Sequence, residues 1–426
     1  MAMTSAGESN VVGTAAHTNK AAMTMVTTLF FMWGFLTVLN DILIPHLKSI
    51  FTLNYAEVML IQFSFFSAYF VFAFPSGKLI EWAGYKKAMV AGLFTMGAGA
   101  LLFIPAASVP SFPLFLTALI VLAAGMTILQ VSANPYVAVL GPPETASSRL
   151  NLAQAFNSLG TTIGPKVGGL LILASAPLAA DVLARMDPQS LHAYRLEQAS
   201  SVKVPYLFFA LTLIVLGIVM ALFKLPDMSA EHKGDASGAH GSVWRHRHLV
   251  LGALAIFVYV GAEVSIGSFL VNYFGQSYIG NLSMKAAAGY VSFYWGGAMV
   301  GRFIGSALLQ KIRTGTLLGI FAIMACLLVC TSMLTLGHLA MWSIIAVGLF
   351  NSIMFPSIFT LSIDGLGPLT GEGSGVLVAA IVGGAIIPEL QGVIADHIGI
   401  HHAFFLPAIC YLYIMYFAFK GSRHDS

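Results

Sequence analysis

The chain has 426 residues, of which 58% are hydrophobic and only 9% charged, and its formal net charge is +3. A soluble domain carries about 25% charged residues, so this composition excludes an ordinary water-soluble fold and places the chain in a lipid bilayer. The charged residues form no basic patch outside the short polar loops, which excludes nucleic acid as a partner.

Residues 1–21 are polar, lack the basic start and short apolar core of a cleaved signal, and are read as a cytoplasmic tail. A helix needs about 20 apolar residues to cross a ~30 Å hydrocarbon core. Counting such runs predicts twelve spans near 22–46, 56–80, 87–106, 112–140, 149–175, 204–224, 248–274, 286–310, 315–336, 339–363, 374–398 and 401–420. The spans at 149–175 and 374–398 are the least hydrophobic. Most Lys and Arg, from Lys20, Lys78, Lys86 and Lys87 to Lys420 and Arg423, fall on the side of the N-terminus, with Lys48, Arg185, Arg195, Lys203 and Lys285 opposite. The positive-inside rule then puts both termini in the cytoplasm.

Taken in chain order, span 1 carries Trp33, Thr37, Asn40 and Asp41 on one helical face. A charge at bilayer depth costs roughly 2.5–3.5 kcal/mol on insertion scales, so Asp41 is expected where water, a partner or a substrate reaches it. Between spans 2 and 3, Gly77, Glu81, Gly84, Lys86 and Lys87 combine an acid, a glycine turn and two bases, a latch for the cytoplasmic side. A weaker copy starts at Gly301-Arg302-Phe303, so Arg302 is read with this gate, and Gly392 to Gly399 carries the pattern again. Span 4 places Gln130 and Asn134 one turn apart. Span 5 carries a polar stripe of Asn151, Gln154, Asn157, Ser158 and Thr161.

Residues 225–247 are rich in Gly, Ser, His and Ala and read as a cytoplasmic linker between an N-terminal six-helix bundle, 22–224, and a C-terminal one, 248–420, with a short tail at 421–426. Asn134-Pro135 is echoed by Phe355-Pro356, and Gly164-Pro165 by Ile387-Pro388, at nearly equal offsets, which marks parallel repeats. In the second half, Glu263, Tyr294, Trp295 and Asn351 are the candidate cavity residues. Polar stripes of this kind face an aqueous cavity rather than lipid, and amides with aromatic rings suit a neutral polyhydroxyl ligand. The bland alternative for the amides, Asn151, Asn351 and Ser158 above all, is hydrogen bonding between helices. Lys166 and Glu389 are either functional or snorkelling charges. Gly297, Gly301 and Gly305 are expected to let helices pack closely and slide. Cys326, Cys330 and Cys410 imply no disulfide or metal framework.

The segment Gly77 to Lys87 resembles the loop signature of the major facilitator superfamily, with Glu81 where Asp is usual. Leu39-Asn40-Asp41-Ile42-Leu43-Ile44-Pro45, Ala133-Asn134-Pro135-Tyr136-Val137 and Arg149 to Ser158 resemble the fucose–proton symporter family, which includes the bacterial glucose/galactose transporters; the likeness runs from about residue 27 to 420. The resemblance implies that Asp41 is an essential membrane carboxylate and that Gln154 and Asn157 line the cavity. Gln130 stands where the fucose branch has an acid, and Val38 where it has Asn, which favours the glucose/galactose branch. Glu263 is our own candidate for a shared coupling role.

The expectation is therefore an all-α membrane protein with twelve transmembrane helices in two pseudo-symmetric six-helix bundles. It is expected to be a monomeric, multi-pass secondary transporter of a bacterial inner membrane. It would import a monosaccharide with a proton, using Asp41 and Glu263 for coupling and Trp33, Asn40, Gln130, Asn134, Gln154, Asn157, Trp295 and Asn351 for the sugar. No cofactor, metal or enzymatic activity is expected, since no Walker A loop, GxGxxG spacing or nucleophile–base constellation occurs. Rival readings are sodium coupling, N-acetylglucosamine or fucose as the sugar, and drug–proton antiport.

Overall fold

A computed structural model of the protein describes residues 18–51, 55–109, 111–172, 182, 185–200, 202–226 and 242–423; the side chains of 38–51, 55–62, 165–172, 192 and 199 lie outside the description. The described backbone is helical throughout its long elements. The helices are α1 (Lys20–Phe51), α2 (Tyr55–Ala83), α3 (Tyr85–Ser108), α4 (Phe112–Val139), α5 (Ala146–Ile172) and α6 (Lys203–Leu222), then α7 (Arg247–Phe274), α8 (Met284–Leu308) and α9 (Thr314–Leu334). The next, α10, has two segments, Gly337–Asn351 and Met354–Ile363; α11 joins Thr370–Ala379 to Gly383–Ile398 through the 3-10 turn Ala380–Val382; α12 runs through Ile400–Ala403, Phe405–Tyr416 and a π turn at Phe417–Gly421. A further short helix, Pro188–Ser200, precedes α6. Among the described residues nine helical stretches are long and apolar enough to cross a membrane.

These segments are helices because a bilayer offers no partner for a bare N–H or C=O, and a helix satisfies both internally. Hydroxyls inside the spans obey the same rule by donating to the carbonyl one turn back, as Thr37 does to Trp33, Thr95 to Ala91 and Thr127 to Ala123. Proline interrupts the rule in useful places. Pro356 has no N–H for the carbonyl of Ser352, α10 breaks just before it, and the freed oxygen accepts from Arg302 Nε at 3.3 Å. Arg149 likewise holds the end of α4, donating to the carbonyls of Val137, Ala138, Gly141 and Pro142.

The helices sort by packing into two groups. In the first half α3 lies on α4 and α6, α1 on α5, and α2 on α4; in the second α9 lies on α10 and α12, α8 on α10, and α7 on α11. Close approach depends on glycine: Gly34 and Gly160 let the backbones of α1 and α5 touch, and Gly301 and Gly348 do the same for α8 and α10. A side chain at Gly297 would meet the Leu349 backbone and one at Gly305 would meet Ile353, so both, like Gly301, let α8 pack closely, and Gly305 also borders Asn151 of the other half. The loop repeat is also visible in backbone form, since Gly84 and Gly399 adopt φ of 82° and 84°, a left-handed turn suited to glycine.

The two groups touch at the end where α6 leaves and α7 enters, here called the linker end. There α2 and α4 pack on α11, and α5 packs on α8 and α10. The span boundaries expected for helices 10 and 11 missed both breaks, and α11 starts earlier than residue 374. Residues 1–17 of the N-terminal tail, 227–241 of the linker and 424–426 lie outside the described residues.

Candidate functional site

The first half gathers its amides by helix register. Gln130 and Asn134 lie one turn apart on α4, and Gln154 reaches them from α5, donating from Nε2 to Asn134 Oδ1 at 3.4 Å. Gln130 Nε2 donates to the hydroxyl of Tyr69 on α2 at 3.2 Å, and the Trp33 indole of α1 lies close to the same hydroxyl. Trp33, Gln130, Asn134 and Gln154 are all buried. Gln130 Oε1 and Asn134 Nδ2 have no hydrogen-bond partner among the described residues. Asn157 is turned elsewhere: its Nδ2 donates to the carbonyl of Phe30 at 3.0 Å and pins α5 to α1.

Asp41 lies within α1, but its side chain, like those of Asn40 and Lys166, is outside the described residues.

In the second half Asn351 is the centre of a buried hydrogen-bond cluster. Its Nδ2 donates to Tyr294 at 2.8 Å, its Oδ1 accepts from Tyr411 at 2.7 Å, and its carbonyl accepts from Tyr259 at 3.1 Å. Sequence reading placed Asn351 among the sugar ligands; the structure instead engages both ends of its amide inside the half, with three tyrosines from α7, α8 and α12. Tyr294 completes the set by donating to the Glu263 carbonyl at 3.2 Å, while Glu263 Oε1 has no hydrogen-bond partner among the described residues. Trp295 is 44% exposed, packs its ring edge on Tyr294 with centroids 5.0 Å apart, and leans on Gly267.

Met299 and Arg302 on α8 face α5, because Met299 Sδ meets Thr162 and Arg302 donates to Ser158 Oγ and to the Gln154 carbonyl. Arg302, read from the sequence with the cytoplasmic gate motif, bridges the two halves from within α8. It lies inside the helix, where Gly301 lets α8 approach α10, and it ties the two halves together.

The linker end is closed mainly by neutral groups. Ser147 Oγ lies 2.5 Å from Thr360 Oγ1 and 3.0 Å from Thr314 Oγ1, and Ser148 and Ser306 exchange bonds with each other's carbonyls at 2.7 and 3.0 Å. Asn151 Nδ2 donates to the Arg302 carbonyl at 2.7 Å. Gly77 packs on the backbone of Gly371, bringing α2 against α11. Of the loop charges, Lys86 donates to the Ala221 carbonyl at 2.8 Å and caps α6, Glu81 lies within electrostatic reach of Glu372 across the seam, and Lys87 is exposed. Outside this seam a cleft of about 670 Å³ opens between Gly141–Ser147 of the first half and Arg313–Gly315 with Thr360–Thr370 of the second.

Sequence reading missed Tyr69, Tyr411 and the serine–threonine seam. Tyrosines in apolar spans look like packing residues, and hydroxyls look like self-bonded helix residues; their three-dimensional convergence leaves no periodic signal.

A two-bundle helical fold closed at one end around buried polar groups defines a membrane transporter of the alternating-access type. The family model described as Major Facilitator Superfamily matches residues 24–387, and the chain belongs to that superfamily. It is 54% identical to the glucose/galactose transporter of Brucella abortus (strain 9-941) over 402 residues, 94% of each chain. It is 36% identical to the L-fucose-proton symporter of Escherichia coli K12, over 92% of this chain and 91% of that one. A crystal structure of a variant of the Escherichia coli fucose:proton symporter superposes with a TM-score of 0.87 at 33% identity, over 94% of this chain and 98% of that one.

Proposed function

We propose that the protein imports a neutral monosaccharide of the glucose/galactose type together with a proton, across a bacterial inner membrane, with both termini cytoplasmic. The observation that carries this reading is the convergence of buried Gln130, Asn134 and Gln154 in the first half, with Arg302 of the second half donating to the Gln154 carbonyl. Neutral amides and an indole ring match the hydroxyls and C–H faces of a sugar. A relative named for glucose and galactose at 54% identity supports the sugar class, and one named a proton symporter supports the coupling ion.

On this reading Asp41 carries the coupling proton, and protonation removes the cost of taking its charge through a closed cavity. Glu263 shares that role from the second half. Sugar enters between the halves while the serine–threonine seam is closed, and the seam parts to release it. The serine–threonine bonds and the glycine contact Gly77–Gly371 stabilise the closed linker end, while Lys86 caps α6 within the first half.

The substrate class is tested by counterflow in proteoliposomes loaded with unlabelled galactose. Labelled glucose and galactose are expected to exchange rapidly, with fucose and N-acetylglucosamine slower. Exchange of a lipophilic cation with no hexose counterflow would contradict the proposal.

A further inference from the structure

The buried amides of the first half leave a pattern of uncommitted donors and acceptors. The Tyr69 oxygen accepts a hydrogen bond from Gln130 Nε2 at 3.2 Å, an N–H group that only donates. The phenol oxygen is thus the acceptor in that bond, and its own proton is given to no acceptor among the described residues. The same Gln130 amide holds out Oε1, an acceptor without a partner, and one turn along α4 Asn134 holds out Nδ2, a donor without a partner. The other end of each amide is fixed, Gln130 Nε2 by Tyr69 and Asn134 Oδ1 by Gln154, so the free ends are held in place.

Buried polar groups without partners are costly, and a set of them is retained where a ligand completes it. Here the set reads donor, acceptor, donor. A hydroxyl both donates and accepts, so one hydroxyl takes the Tyr69 proton while giving its own to Gln130 Oε1. A neighbouring hydroxyl accepts from Asn134 Nδ2. A carboxylate or phosphate offers no donor for Gln130 Oε1, and a lipophilic cation offers no acceptor for Tyr69. The wall over these residues is in part α11 of the other half, which packs on both α2 and α4 and sets Gly384 against Phe66. A ligand held between the halves reaches the set when that wall moves.

We propose that Tyr69, with Gln130 and Asn134, forms a subsite that reads an adjacent pair of carbohydrate hydroxyls, with Tyr69 as a specificity-determining residue. This rests on the monosaccharide reading above. Besides donating to the sugar, Tyr69 positions Gln130 through the bond it accepts.

The test is Tyr69→Phe, which removes one oxygen and keeps the ring against Phe65. Galactose, glucose and a series of deoxy analogues, each lacking one hydroxyl, are compared by counterflow in proteoliposomes. The expected result is a half-saturation raised about 10-fold with the maximal rate within about twofold. One deoxy analogue, disfavoured by the wild type at least about 10-fold, is handled by the variant as well as the parent sugar. Gln130→Met, which deletes the partner acceptor, loses discrimination against the same analogue, so the outcome stands even if Tyr69→Phe folds poorly. Unchanged half-saturation for every sugar, or an equal weakening for all analogues, overturns the subsite alone. Absence of saturable hexose counterflow in the wild type contradicts the monosaccharide reading itself and removes the subsite with it.

Discussion

At the scale of single residues, the proposed coupling role of Asp41 and the buried amides call for separate tests. Asp41→Asn is expected to abolish uphill sugar accumulation while counterflow persists, because exchange needs no net proton movement; full accumulation by this variant would remove Asp41 from the coupling step. Asn351→Leu is expected to lower the melting temperature of the purified protein, since the Tyr411 hydroxyl left without its acceptor costs about 1–3 kcal/mol and Tyr294, still bonded to the Glu263 carbonyl, loses the amide donor. A variant with unchanged melting temperature and weakened sugar affinity would return Asn351 to the ligand set. The polar stripe of α5 was legible in the sequence because its spacing is periodic. Which amides keep a free end was not, because that depends on partners such as Tyr69 and Phe30 on other helices.

At the scale of elements, closure of the linker end is a contact between α5 and the α8–α10 pair, made by hydroxyls rather than loop charges. Ser148 Oγ and Ser306 Oγ are 3.3 Å apart, so cysteines at the two positions are expected to form a disulfide under mild oxidation. The cross-linked protein should lose uptake, regain it on reduction, and still bind sugar from the far side; uptake undiminished by a complete cross-link would mean this seam need not open. Gly160→Val places a branched side chain against the Phe31 carbonyl and is expected to cut folded yield sharply, whereas the same change at Gly289, which meets open space, should not. Equal yields for the two would show that the α1–α5 contact tolerates separation. The spans themselves were readable because hydropathy and length decide them. The breaks in α10 and α11 were not: Pro356 announced a weakness in the helix, but the sequence did not show that Arg302 would take the freed carbonyl of Ser352.

At the scale of the whole molecule, the repeat seen in Pro135 and Pro356, and in the glycine turns at Gly84 and Gly399, builds two similar halves, whose mutual contact is the part that the proposed transport cycle opens. Among the described residues the halves are joined at the linker end, and the fold superposes with a TM-score of 0.84 on a crystal structure of the related fucose transporter in the outward conformation. Proton entry down the membrane potential supplies about 2.3 kcal/mol per charge per 100 mV, enough for roughly 50-fold accumulation of a neutral solute. The most direct measurement is uptake of labelled galactose by sodium-free proteoliposomes under an imposed inward proton gradient. The account predicts accumulation well above the external concentration, collapsing to equilibrium when a protonophore is added. Accumulation indifferent to the protonophore, or appearing only with a sodium gradient, would contradict it.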